Sequence, residues 1–120
     1  MPKTILVVED YDDARYLIKF MLQMLGHRVV EATDGREAIE CVKKDRPDLI
    51  LMDLALPIMD VVTATRVIRE MEESSDVPVV CVTAHSEKYR NEAIQAGANM
   101  VVRKPVDMED LKPILSQYLS

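Results

Sequence analysis

Glycine, cysteine and aromatic residues are scarce in this chain of 120 residues, which has three glycines, two cysteines, one phenylalanine and no tryptophan. Two cysteines do not form a disulfide scaffold. Cys41 falls in a helical pattern and Cys81 in an apolar run, where small buried hydrophobic residues are common. The glycines, at 26, 35 and 97, form neither a P-loop nor a dinucleotide-binding fingerprint. The core must therefore be aliphatic, with help from eight methionines.

An excess of basic residues and a long apolar run are also lacking. Lys and Arg number 15 against 21 Asp and Glu, which gives a formal net charge of −6. Binding to a nucleic-acid backbone needs clustered basic residues, so this charge disfavours it and suits a cation or a basic partner. No apolar run approaches the roughly 18 residues of a membrane helix, and no secretory leader opens the chain. We therefore expect a cytoplasmic protein that binds neither nucleic acid nor membrane.

Short apolar runs alternate with segments of helical periodicity along the whole chain. The runs predict strands at residues 4–8, 28–32, 49–52, 79–82 and 100–103. Strands that alternate with amphipathic helices are typical of a parallel sheet with helices on both faces. The pattern therefore predicts one doubly wound α/β domain over residues 1–120, with a five-stranded parallel sheet in a (βα)5 arrangement.

The helical segments carry signals for their faces and ends. In the first helix the spacing predicts an inward face of Ala14, Leu17, Ile18, Met21, Leu22 and Leu25. Gly26 is expected to close that helix in the left-handed conformation. Asp60 is the expected N-cap of a third helix near residues 61–72, and Asp107 caps the fifth. Pro113 should kink the fifth helix or delay its start.

Polar residues stand where four of the predicted strands end. Glu9 and Asp10 follow the first strand, and Asp53, Thr83 and Lys104 follow the third, fourth and fifth. The carboxyl ends of parallel strands meet at one edge of the sheet, so these side chains are expected to gather there. Three carboxylates, a hydroxyl and an ammonium suit a divalent cation and a phosphoryl group.

Phosphoryl transfer to a carboxylate meets an electrostatic barrier, because both groups are negatively charged. A Mg²⁺ ion would relieve the mutual repulsion of Glu9, Asp10 and Asp53 and bind a phosphoryl oxygen. Lys104 and Thr83 would contact the other oxygens. Asp53, on the central strand, is the expected nucleophile, and its product is an acyl phosphate.

Each of these residues also has a purely structural interpretation. An acidic pair after a strand often caps a helix, and an aspartate such as Asp53 is often a turn residue. Thr83 alone is an ordinary β-former, and Lys104 alone a solvated surface residue. The functional interpretation is favoured because four separate strand ends carry the required groups in the required order.

The chain resembles a response-regulator receiver domain of bacterial two-component signalling. The resemblance rests on ILVVED at 5–10, DLILMDLALPIMD at 48–60, VTA at 82–84, GAN at 97–99 and KP at 104–105. It covers essentially the whole chain. It implies a flavodoxin-like, CheY-like fold, bacterial origin and a cis peptide bond between Lys104 and Pro105.

The resemblance also implies site roles. Asp53 is the phosphoacceptor, and Mg²⁺ is held by Glu9, Asp10, Asp53 and the backbone carbonyl of Ala55. Thr83 and Lys104 contact the phosphoryl group.

The implied function is that of a switch and not of a turnover enzyme. A histidine kinase or phosphotransfer protein would supply the phosphoryl group, and slow self-dephosphorylation would remove it. The face formed by the fourth helix, fifth strand and fifth helix would then change shape and bind an unknown downstream protein. We expect a monomer or a weak phosphorylation-dependent dimer.

The chain departs from the family pattern at a few positions. Val101 stands where the family usually has Tyr or Phe, and a short, stiff valine cannot signal by swinging inward. It either packs a strand or marks an output face that responds weakly. Val61 replaces a usual glycine, which suggests another loop path. Ala55 and His85 occupy positions that set the lifetime of the phosphoryl group in this family.

Other functions fit less well. Haloacid-dehalogenase phosphatases also use an aspartate after a strand, but they need a second aspartate where this chain has Ala55. Flavodoxin-like cofactor binding needs a phosphate loop rich in Gly, Ser or Thr. The alternatives left open are a receiver domain excised from a larger regulator or hybrid kinase, and a phosphorylation-independent adaptor. No output domain is expected in this chain.

Overall fold

The structure is a computed structural model that describes residues 2–53, 58–83 and 87–119. Strands and helices alternate along the chain, as the sequence predicts. The elements are β1 (Thr4–Val8), α1 (Asp12–Met24), β2 (Arg28–Ala32), α2 (Gly35–Lys44), β3 (Leu49–Asp53), α3 (Ile58–Glu70), β4 (Val79–Thr83), α4 (Glu87–Ala96), β5 (Met100–Arg103) and α5 (Met108–Leu119). A short 3-10 turn, Glu72–Ser74, follows α3.

The five strands form one parallel sheet in the order β2-β1-β3-β4-β5, which confirms the predicted fold class. Every residue of β3 and β4 is buried. Burial on both faces explains why these strands are continuous apolar runs. The chain reverses its direction across the sheet between β1 and β3, and such a switch point leaves a crevice at the carboxyl ends of the two strands.

The side chains of the strands alternate between two cores, one on each face of the sheet. One core joins Leu6, Val8, Ile50 and Met52 to residues of α2, α3 and α4. The other joins Ile5, Val7, Leu49 and Leu51 to residues of α1 and α5. Cys81 is buried in the first core and Cys41 packs against it, so neither thiol is fully solvated. Among the described residues no helix is long and apolar enough to cross a bilayer.

The predicted helix ends are partly confirmed. Gly26 has φ 92° at the end of α1, as expected for a left-handed cap. Asp107 caps α5, because its Oδ1 accepts from the backbone N–H of Asp110 at 3.0 Å and Asp110 Oδ2 accepts from the N–H of Asp107 at 3.0 Å. Of the two outcomes predicted for Pro113, the late start was wrong, because α5 begins at Met108 and continues through Pro113, and the kink stays a prediction.

The prediction for Asp60 was wrong, whereas the loop path predicted from Val61 falls on residues 54–57, outside the described residues. Helix α3 begins at Ile58, so Asp60 lies inside the first turn and is not the N-cap. An acidic residue is favourable in either place, because the amino end of a helix carries partial positive charge. Val61 also lies within the helix, where a β-branched residue needs no positive φ.

The GAN segment at 97–99 is held by a hydrogen-bond network around the partly buried Arg69. The guanidinium of Arg69 donates to the carbonyl of Gly97 at 2.9 Å and to Asn99 Oδ1 at 2.6 Å. Asn99 Oδ1 also accepts from the backbone N–H of Val79 at 2.9 Å. Gly97 has φ 118°, and a Cβ there would lie 2.6 Å from Cγ of Arg69. Glycine at 97 therefore satisfies both the backbone conformation and the close approach of Arg69.

Candidate metal and phosphoryl site

The polar residues singled out in the sequence lie at the carboxyl edge of the sheet. Glu9 and Asp10 follow β1, Asp53 is the last residue of β3 and Thr83 the last of β4. Lys104 follows β5, and its backbone N–H donates to the carbonyl of Thr83 at 2.8 Å. The strand ends are adjacent because β1, β3, β4 and β5 are neighbours in the sheet.

Three carboxylates form an acid cluster at this edge. One carboxylate oxygen from each of Glu9, Asp10 and Asp53 lies within 4.8 Å of the other two. Glu9 is 2% exposed and Asp53 is 4% exposed, whereas Asp10 is exposed to solvent. Buried like charges at this distance repel strongly unless a cation or a proton is bound. An all-oxygen donor set with one open side fits a hard divalent cation such as Mg²⁺.

Lys104 places a positive charge against the acid cluster. Its Nζ lies 2.9 Å from Oδ2 of Asp53 and 3.3 Å from Oε1 of Glu9. Partial burial works against the ammonium, but the hydrogen bond to Asp53 and the charges of both carboxylates outweigh it and raise the pKa of Lys104. The side chain therefore stays charged at neutral pH and offsets one of the negative charges.

The protonation of Glu9 is affected by its burial and by the neighbouring carboxylate of Asp53. Burial, which is the largest cause, and the hydrogen bond with Asp53 together raise the pKa of Glu9 to about 7. The Oε2 of Glu9 also accepts from the backbone N–H of Tyr11 at 3.2 Å, which favours the ionised form. Near neutral pH the Glu9 carboxyl is thus divided between its protonated and ionised forms. A bound cation would displace that proton.

Two further predictions concern the loops beside the site. The peptide bond between Lys104 and Pro105 is cis, as expected. Ala55 and His85 lie outside the described residues, so a backbone ligand at Ala55 remains a prediction. Thr83 is buried at the end of β4, between the strands that carry Asp53 and Lys104.

Helix α1 presents apolar residues to solvent next to the site, which the sequence pattern did not predict. Leu17, Phe20 and Met24, here called the α1 apolar face, are 57%, 59% and 64% exposed. The prediction that Leu17 points inward was wrong. Apolar residues occur on both sides of α1, so the periodicity did not decide which side is buried. A cleft of about 370 Å³ connects Leu17 and Ile18 to Glu9 and Lys104.

The sequence pattern did not predict the position of Arg15. This side chain is buried beside the acid cluster and donates to the backbone carbonyl of Glu9 at 2.9 Å. The sequence does place this charged residue between Ala14 and Ile18, two predicted inward-facing residues of α1, which could have indicated a buried and paired side chain. Long charged side chains are seldom fully buried unless they are paired.

The raised pKa of Glu9 predicts how stability depends on pH in EDTA. Between about pH 4.5 and 7 the folded protein holds a proton on Glu9 that the unfolded chain has released, so stability falls as pH rises. From pH 5 to pH 8, wild type should lose on the order of 2 kcal/mol of unfolding free energy relative to Glu9→Gln. Urea denaturation of both proteins measures the difference. Parallel pH curves would contradict the crowding of Glu9.

The chain matches the family model of the response regulator receiver domain over residues 5–116. It is 31% identical over 120 residues to the polar-differentiation response regulator DivK of Brucella anthropi, covering 99% of this chain and 98% of that protein. It is 36% identical over 115 residues to the sensor protein EvgS of Escherichia coli, covering 95% of this chain and 9% of EvgS.

Solved structures give the same assignment. The receiver domain of the sensor histidine kinase PA1611 from Pseudomonas aeruginosa, with a magnesium ion coordinated in its active site cleft, is 37% identical with a TM-score of 0.90 over 98% of both chains. The chemotaxis response regulator CheY4 of Vibrio cholerae is 28% identical, with a TM-score of 0.90 over 99% of this chain and 100% of that chain. The matched fold, the strand-end acid cluster and these similarities together show that the chain belongs to the response regulator receiver domain family.

Proposed function

We propose that this chain is a phosphorylation-controlled switch that accepts a phosphoryl group on Asp53. We further propose that Mg²⁺ is held by Glu9, Asp10 and Asp53, with the backbone carbonyl of Ala55 as an additional ligand. The observation that carries the proposal is the contact between Lys104 Nζ and Oδ2 of Asp53 at 2.9 Å, beside an acid cluster of carboxylate oxygens within 4.8 Å.

In the proposed reaction a carboxylate oxygen of Asp53 attacks the phosphorus of the donor. A new phosphorus–oxygen bond forms, the bond from phosphorus to the donor breaks, and the product is an acyl phosphate. Bound Mg²⁺ would supply positive charge that stabilises the negative oxygens of the phosphoryl group during transfer. Lys104 would bind one phosphoryl oxygen, and the hydroxyl of Thr83 would donate to another.

The site favours Asp53 as the acceptor over its neighbours. Asp53 contacts Lys104 directly, so the ammonium group that would bind a phosphoryl oxygen already lies beside it. Glu9 is partly protonated near neutral pH and is therefore a poorer nucleophile. Asp10 is exposed at the open side of the cluster, which suits a metal ligand.

We infer that phosphorylation changes the face formed by α4, β5 and α5, where a downstream protein would bind as it does in this family. Val101 on β5 is buried in the core that also contains Ala93 of α4. This packing supports the interpretation that Val101 fills the core. The signal would then travel through Thr83 and the backbone after β4 and not through a swinging ring. We propose a monomer, or a weak dimer that forms on phosphorylation.

We infer that the phosphodonor is a histidine kinase or a phosphotransfer protein in the bacterial cytoplasm, and that it docks on α1. The α1 apolar face is exposed, and the cleft at its edge leads to Glu9 and Lys104. A donor bound there could bring its phosphohistidine to Asp53. Contiguous exposed apolar residues on a protein surface commonly mark an interaction site.

Relatives of this chain work in two settings. DivK is nearly the same length as this chain, whereas EvgS is a sensor protein of which the match covers 9%. We propose the same chemistry at Asp53 whether the domain acts alone or within a larger regulator or hybrid kinase. A phosphorylation-independent adaptor would not require Lys104 beside the acid cluster.

Incubation with acetyl phosphate and Mg²⁺ tests the acceptor directly. Wild type should gain one phosphoryl group by intact mass, and EDTA should prevent the gain because the site then lacks its cation. Asp53→Asn should gain none. Asp48→Asn is the matched control, because Asp48 stands at the opposite end of the same strand, bonded to the backbone of Thr4. A labelled Asp53→Asn protein, or unlabelled wild type, would contradict the proposal.

The docking surface is tested with a phosphorylated kinase or phosphotransfer protein that labels wild type. Phe20→Glu should slow this transfer about tenfold or more, since a central apolar contact contributes about 1.4 kcal/mol or more to binding. Labelling by acetyl phosphate, which needs no docking, should be unchanged. Ile94→Glu, an exposed apolar position on α4, is the control and should transfer at the wild-type rate. Equal slowing of transfer in both variants would contradict docking of the phosphodonor on α1.

A further inference from the structure

Arg15 is a buried cation in the first turn of α1, the helix that begins two residues after Asp10. It is 6% exposed, and its guanidinium reaches three acceptors on three parts of the chain. Nη1 donates to the carbonyl of Glu9 at 2.9 Å, Nη2 to Oδ1 of Asp12 at 2.7 Å and Nε to Oε1 of Glu31 at 3.1 Å. It therefore joins the loop after β1, the first turn of α1 and the strand β2.

The acceptors of Arg15 require a guanidinium. A planar fork presents donors in several fixed directions, whereas an ammonium is a point charge on a flexible stem. Glu31 is anchored as well by Lys19, whose Nζ lies 3.0 Å from Oε2. Burial opposes ionisation of Glu31, but its hydrogen bonds to Lys19 and Arg15 lower its pKa overall. Arg15 is thus held from the side of β2 by a carboxylate that stays charged.

The backbone of Glu9, which leads directly into Asp10, is held from both sides. The backbone N–H of Glu9 donates to the carbonyl of Ala32 at 3.0 Å, and the carbonyl of Glu9 accepts from Arg15. The carbonyl of Glu9 belongs to the peptide bond that leads to Asp10. The direction of this peptide determines where the exposed carboxylate of Asp10 stands relative to Asp53.

We propose that Arg15 is a positioning residue for the divalent cation. By fixing the peptide between Glu9 and Asp10, Arg15 keeps the Asp10 carboxylate within reach of Asp53. This inference rests on the proposed function, because it presupposes the cation site. Arg15 touches neither the cation nor the phosphoryl group in this role. It acts through the backbone of Glu9.

Charge and position have opposite effects on cation binding, which makes the proposal testable by its sign. A positive charge near the site repels Mg²⁺, so a purely electrostatic Arg15 would weaken binding and its removal would tighten it. A positioning Arg15 would strengthen binding, and its removal would weaken it. Residues that orient metal ligands in this way commonly change affinity by about 10–100-fold.

The experiment is a titration of the full chain with Mg²⁺, in which NMR chemical shifts of the backbone amides of Asp10 and Asp53 report binding and give the Kd. Arg15→Met should raise the Kd at least about tenfold. Lys19→Met is the matched control, because Lys19 lies on the same helix and its ammonium pairs with Glu31 and not with the acid cluster. The Kd of this variant should be unchanged or slightly lower. Arg15→Lys should give an intermediate Kd, since it keeps the charge but not the fork.

Urea denaturation in EDTA separates positioning from general stabilisation. A purely structural Arg15 would lower the unfolding free energy and leave the Kd of the folded protein unchanged, and this result would overturn the proposal. A Kd of Arg15→Met equal to or below that of wild type would also overturn it. Where Arg15→Met does not fold, the Kd of Arg15→Lys decides by the same criterion. Absence of Mg²⁺ binding in wild type would instead refute the proposed cation site itself.

Discussion

Repulsion among three carboxylates is the constraint on which the site depends. Glu9, Asp10 and Asp53 stand within 4.8 Å of one another, and two of them are buried. Without compensation such a cluster would destabilise the fold. Lys104 offsets one charge, and the raised pKa of Glu9 lets a proton offset part of another. The negative charge that remains is the property of the site that would attract a divalent cation.

The fold supplies the rigidity that this crowding needs. The two cores fix β1 and β3 side by side, and their register places Val8 opposite Met52, directly before the acidic residues. Arg15 adds a restraint from outside the sheet by holding the carbonyl of Glu9. Strained arrangements of like charge persist where the surrounding packing is strong, and such arrangements concentrate at functional sites.

Most of the fold could be predicted because the central strands β1, β3 and β4 are buried on both faces and the helices are not, so their sequence periodicities differ. The strand-end residues followed from the same pattern, since parallel strands share one carboxyl edge. The face of α1 could not be predicted, because Leu17 and Ile18 are both apolar and the neighbours decide which is covered. The burial of Arg15 depends likewise on tertiary contacts, to Glu9 and Glu31, that local sequence does not contain.

The measurement that tests the account most directly is a crystal structure of the chain with Mg²⁺ and beryllium trifluoride, a mimic of the phosphoryl group. The account predicts the mimic on Asp53, the cation held by the carboxylates of Glu9, Asp10 and Asp53, and Nζ of Lys104 turned toward a fluorine. A cation bound away from the acid cluster, or a Lys104 that does not approach the mimic, would contradict it.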